Sequence, residues 1–117
     1  MYSKTSAQVK KVFALILLFS TFLGALGQVF FKMGVTAKSA TLLAFYLLIG
    51  LLFYAVSTVV YFFVLGRADL SWAYGFTGLS YIFASLLAFA FLEEQIPLLR
   101  WFGILLITIG TMLIGFS

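Results

Sequence analysis

The chain is 117 residues long, 65% hydrophobic and only 9% charged, with a formal net charge of +4 and neither cysteine nor histidine. A soluble domain carries roughly a quarter charged residues, so a water-soluble globule of this length is excluded. Nucleophilic sets that need His or Cys are excluded as well, and so are thiolate metal centres; a metal would have only Asp69, Glu93 and Glu94 as ligands, so no metal, cofactor or enzymatic activity is expected.

Four apolar stretches fill most of the sequence, at about Val12–Phe31, Leu42–Leu65, Trp72–Leu92 and Leu98–Phe116. A helix rises ~1.5 Å per residue, so roughly 20 apolar residues cross a ~30 Å hydrocarbon layer. Each stretch predicts one transmembrane helix. The chain reads as an all-α membrane protein with a single four-helix domain over residues 1–117. The first stretch exceeds a signal-peptide core and is read as a retained helix.

In the first helix the polar exception is Gln28, within Gly24-Ala25-Leu26-Gly27-Gln28. Gly24, Gln28 and Lys32 follow at single-turn intervals and form a stripe. A small residue, an amide and an ammonium in line suit an anionic headgroup arriving from the interface. Equally, Gln28 can hydrogen-bond across a helix contact while Lys32 snorkels. Gly24 and Gly27 let a neighbouring helix or a substrate approach closely.

The second helix places Tyr54, Ser57 or Thr58, and Tyr61 at helical spacing. In the third, Tyr74, Thr77 and Tyr81 fall at i, i+3 and i+7, with Trp72 near the entrance and Gly75 and Gly78 thinning the adjacent surface. Aromatic and hydroxyl faces of this kind can line a cavity for a sugar or another polar headgroup. The alternative is an interfacial belt for Trp72 and Tyr74, with Tyr81 bonding to another helix. The fourth helix is almost wholly apolar, and Gly103 and Gly110 share one face, which suits helix packing or dimerisation.

The connections are short. Asp69 or Ser71 is placed to cap the third helix, and Pro97 suits the first turn of the fourth. The basic residues are dispersed, with Lys4, Lys10 and Lys11 before the first helix and Lys32, Lys38, Arg67 and Arg100 at helix ends. Such cations anchor helices among headgroups; a nucleic-acid partner is not expected. Lys4, Lys10, Lys11 and Arg67 fall on one side of the bilayer and Lys32, Lys38 and Arg100 on the other, a difference of one (4 − 3) that barely sets orientation.

Gly27-Gln28-x-x-x-Lys32 ending the first helix, Leu70-Ser71-Trp72-Ala73-Tyr74 opening the third, and Leu92-Glu93-Glu94 before a Gly103…Gly110 helix resemble the drug/metabolite transporter superfamily. The chain looks like one of its four-helix members, of the small multidrug resistance or EamA-like kind. Proton-coupled cation exporters of the small multidrug resistance family carry a membrane-embedded glutamate in the first helix. Alignment on Lys32 puts Gly24 there, so the pattern is most similar to flippase subunits for aminoarabinose-phosphoundecaprenol.

The resemblance implies a half-transporter in the inner membrane, working as a homodimer or with a paralogous half, with the fourth helix as the dimerisation helix. It implies translocation of a polyprenyl-phosphate-linked sugar or a similar polar-headed lipid, with Lys32 attracting the phosphate. Gln28, Tyr54, Ser57, Tyr74, Thr77 and Tyr81 would line the path. Export of small polar or cationic solutes is the alternative, and a non-transporting assembly subunit the third possibility.

Overall fold

A computed structural model describes residues 7–117, so Lys4 and its place in the charge count lie outside the described residues. Five helices follow one another: α1 (Ala7–Val35), α2 (Ala40–Leu65), α3 (Leu70–Gly75), α4 (Thr77–Phe91) and α5 (Leu98–Phe116), with no strand among the described residues. They make four spans long and apolar enough to cross a membrane, Gln8–Val35, Ala40–Leu65, Leu70–Phe91 and Leu98–Phe116. In hydrocarbon every backbone N–H and C=O needs an internal partner, which a helix supplies. The chain is an all-α, multi-pass membrane protein.

The first helix is already formed at Ala7, five residues ahead of the apolar stretch, so Lys10 and Lys11 lie within it rather than before it. Lysine is a good helix former, and hydrogen bonding does not stop where the hydrocarbon does. The uncharged run between Lys11 and Lys32 is Val12–Phe31, or ~30 Å of helix. The helix is longer than its hydrophobic segment, and a lysine marks each end of that segment.

The third span departs further from expectation, because α3 and α4 are separate helices broken at Phe76. The Phe76 N–H bonds to the Ala73 carbonyl at 3.1 Å and the Leu79 N–H to the Phe76 carbonyl at 2.9 Å. These three-residue bonds tighten the turn in the manner of a 3₁₀ segment. The Thr77 hydroxyl reinforces it by donating to the Tyr74 carbonyl at 2.7 Å. Glycines flank the break because α5 comes close: a Cβ on Gly75 would lie 2.7 Å from Ile114, and one on Gly78 would lie 2.6 Å from Thr111 Oγ1.

Helix ends also differ in detail. Asp69 sits at the N-cap of α3, but its side chain makes no capping bond. Pro97 is the N-cap of α5 rather than part of its first turn, and its carbonyl receives Arg100 and Trp101. Ser39 caps α2 through a bond from the Leu42 N–H at 3.2 Å. At the end of α4, Glu93 takes a left-handed φ of 55°, and the Glu94 N–H folds back to the Ala88 carbonyl at 3.2 Å.

The first span is the centre of the molecule: 39% of its most apolar window is buried, against 6–11% for the other three. It packs on α2 and α4, while α5 packs on α3 and α4. Near the N-terminal end of α1, Phe13, Leu17, Val64, Ala68, Trp72, Ala73 and Phe76 form one buried apolar cluster. On that side the Lys10 ammonium donates to the Ser117 carbonyl at 3.3 Å. On the opposite side the Lys32 ammonium stands 3.9 Å from a Glu94 carboxylate oxygen.

Candidate functional site

Near mid-span, α1, α2, α3 and α4 line a half-open cavity of about 240 Å³. Its wall is Ser20, Thr21, Gly24, Tyr54, Ser57, Thr58, Tyr61, Tyr74, Thr77 and Ser80, so every lining residue except Gly24 carries a hydroxyl and none carries a charge. Polar groups at this depth need partners. Ser20 Oγ donates to the Ser57 carbonyl at 2.8 Å, and Ser57 Oγ donates back to the Ser20 carbonyl at 2.7 Å. The Ser80 hydroxyl donates across to the Thr21 carbonyl at 3.1 Å. These three bonds tie α1 to α2 on one side and to α4 on the other.

Two of the lining threonines bond within their own helices. Thr21 donates to the Leu18 carbonyl at 2.9 Å and Thr58 to the Tyr54 carbonyl at 2.9 Å. Gly24 leaves room at the wall: a Cβ there would lie 3.1 Å from Ser57 Oγ. The buried hydroxyl of Tyr61 has no hydrogen-bond partner.

One turn along α1 and α4 lies a second cavity of about 300 Å³, lined by Gln28, Val29, Lys32, Tyr81, Ala84, Ser85, Ala88, Leu92, Glu94, Ile96 and Arg100. Here Lys32, Glu94, Arg100 and the Gln28 amide stand among apolar and hydroxyl-bearing side chains, as suits the headgroup region. The Lys32 and Glu94 side chains are 55% and 41% exposed, so their contact is of the surface kind, contributing about 0–1 kcal/mol. By position, this outer cavity is termed the mouth and the hydroxyl-lined one the chamber.

A third cavity, of about 260 Å³, opens on the opposite side among Lys10, Phe13, Ala68, Asp69, Ser71, Trp72, Ile114 and Ser117. The apolar cluster stands between it and the chamber. Leu17 precedes Ser20 by one turn, Val64 follows Tyr61, and Ala73 and Phe76 flank Tyr74.

The residues singled out in the sequence are thus divided among three places. Tyr54, Ser57, Tyr74 and Thr77 meet in the chamber, with Gly24 in its wall. Gln28, Lys32 and Tyr81 line the mouth instead. Trp72 belongs to neither: it is 7% exposed in the apolar cluster, with its ring 4.8 Å from that of Phe76. Gly27 faces α2, where a Cβ would lie 2.9 Å from the Gly50 carbonyl, whereas Gly103 and Gly110 have nothing within 4 Å.

Sequence reasoning missed Ser20, Thr21 and Ser80 in the chamber and Arg100 at the mouth. The signal was present, since Ser20 and Thr21 lie one turn before Gly24, and Ser80 follows Thr77 by three residues. Compared with protein-family models, curated proteins and solved structures, the chain finds no match.

Proposed function

We propose that the chain is a half-size transporter or flippase subunit of drug/metabolite transporter type. Its cargo would be a polar-headed lipid, such as a polyprenyl-phosphate-linked sugar, moved across the inner membrane. The observation that carries this reading is the chamber: an uncharged, hydroxyl-lined cavity at mid-span, adjoining a basic mouth along the same two helices. A polar headgroup leaving water loses its hydrogen bonds unless the protein replaces them, and the chamber offers replacements at the depth where water is absent. Lys32 and Arg100 would hold the phosphate at the mouth while the tail stays in lipid. The apolar cluster blocks the far side, as one half-cycle of alternating access requires. A second copy or a paralogue would supply the other half of the transporter.

Native mass spectrometry of the protein extracted gently with its lipids tests this. The expected result is a dimer carrying a polyprenyl-phosphate sugar that is lost in Lys32→Ala. The three tyrosines lining the chamber favour a second reading, export of small polar or cationic solutes through cation–π contacts. A bare dimer that binds small cations would favour that reading instead.

A further inference from the structure

Counting protons in the chamber leads beyond its general polarity. A serine or threonine hydroxyl has one proton to donate and two lone pairs to accept with. All six aliphatic hydroxyls of the wall direct that proton to a backbone carbonyl, at 2.7–3.1 Å. Ser20 Oγ and Ser57 Oγ also approach to 3.3 Å, where either could donate; with both protons on the nearer carbonyls at 2.8 and 2.7 Å, the pair presents lone pairs. What the six offer a guest is acceptance. Donation is left to the phenols, and Tyr61 supplies a buried hydroxyl that has no partner of its own.

The mouth is richer in donors: Lys32 and Arg100 carry only donors and Gln28 adds an amide N–H₂, set against one acceptor carboxylate, Glu94, 3.9 Å from Lys32. An anion is bound by donors, and an acceptor-rich wall repels it; a group bearing hydroxyls or an ammonium needs acceptors.

We infer that the chamber selects its guest by hydrogen-bond polarity. It takes a donor-bearing, non-anionic group, holds one acceptor atom of that group on the Tyr61 hydroxyl, and in this half-cycle leaves the phosphate at the mouth. This rests on the transporter reading above and adds which part of the cargo each cavity recognises. Tyr61 becomes a specificity residue. Its hydroxyl has no partner within the protein, so removing it leaves no protein group unsatisfied and Tyr61→Phe retains the fold.

The test measures binding to the full chain in nanodiscs, with three probes that share one citronellyl phosphate. The first carries glucose, the second carries glucose with three hydroxyls replaced by fluorine, and the third has no sugar. Fluorine keeps the size but removes the donors. The glucosyl probe is expected to bind at least tenfold tighter than its fluorinated twin. Tyr61→Phe should weaken the glucosyl probe by about threefold to tenfold, the range of one hydrogen bond, and leave citronellyl phosphate unchanged.

Equal affinity for the two sugar probes, or indifference to Tyr61→Phe, overturns the inference. Flux is read separately in vesicles, as protection of the glucosyl probe from impermeant periodate. Donor-dependent binding without flux upholds the polarity rule and removes the transporter reading. Flux with donor-independent binding does the reverse.

Discussion

Gly27 of α1 and Gly50 of α2 meet backbone to backbone: a Cβ on either would lie 2.9 Å from the other's carbonyl oxygen. A Cβ on Gly50 would also come within 2.8 Å of the Phe31 ring. Backbone cannot move aside as a side-chain tip can. Gly27→Val or Gly50→Val therefore separates α1 from α2, at a cost of about 1–3 kcal/mol. Unfolding in mixed detergent micelles measures it, and unchanged stability in both variants would contradict the packing.

Gly103→Ala and Gly110→Ala provide the contrast, since neither position has an atom within 4 Å. In the isolated chain both should be neutral or stabilising by up to about 1 kcal/mol, the helix-propensity gain. If a second copy covers this face, the same variants weaken self-association while leaving the single chain intact. Analytical ultracentrifugation in detergent separates the two effects.

The reciprocal Ser20–Ser57 bonds predict coupling. Interhelical hydrogen bonds in membrane proteins average about 0.6 kcal/mol and reach about 1.7. Ser20→Ala and Ser57→Ala should each destabilise by about that amount, and the double variant by less than the sum. Strict additivity would show that the two bonds do not act together.

At the mouth, Glu94 competes with any anion for Lys32. Glu94→Gln should tighten an anionic lipid severalfold and Lys32→Ala should loosen it. Both should change stability by less than about 1 kcal/mol, because the pair is exposed. Binding of citronellyl phosphate across a salt series reads the effect, and the difference between the variants should shrink as salt rises. A large loss of stability in either variant would reassign the pair to a structural role.

The left-handed φ of 55° at Glu93 penalises a residue with a Cβ by about 1 kcal/mol. Glu93→Gly should thus be neutral or stabilising by up to that amount, and Glu93→Val destabilising. Thermal unfolding of the two variants in one detergent gives the sign directly.

The spans were legible because bilayer thickness is a ruler: twenty uncharged residues between Lys11 and Lys32 have to cross it. Rotation of each helix about its own axis was not. A span that is apolar all round carries little periodicity to say which face turns inward, so Trp72 suited an interfacial entrance as well as the buried cluster it joins. The break at Phe76 was hidden for a different reason, since Gly75 and Gly78 suit close helix packing as well as a break and three-residue hydrogen bonds leave no mark on composition. The hydroxyl stripe of α2 and α3/α4 was readable from spacing. Its partners Ser20 and Thr21 stand out less, because small hydroxyls in a membrane helix often satisfy the backbone of their own helix, as Thr21 in part does.

The central position of α1 has a consequence for how the protein is made. The helix that ends up most enclosed leaves the ribosome before the other three spans, and until they follow it sits in lipid with Ser20, Thr21 and Gln28 uncovered. Folding proceeds from the N-terminal side during synthesis, so of the later spans α2 is the first available to it. The Gly27–Gly50 contact and the Ser20–Ser57 clasp both belong to that first hairpin. The chamber's remaining wall, Tyr74, Thr77 and Ser80, arrives only with the third span. Biogenesis thus passes through a two-helix stage held by its own hydrogen bonds, and a chain truncated after Arg67 should already insert as a stable hairpin.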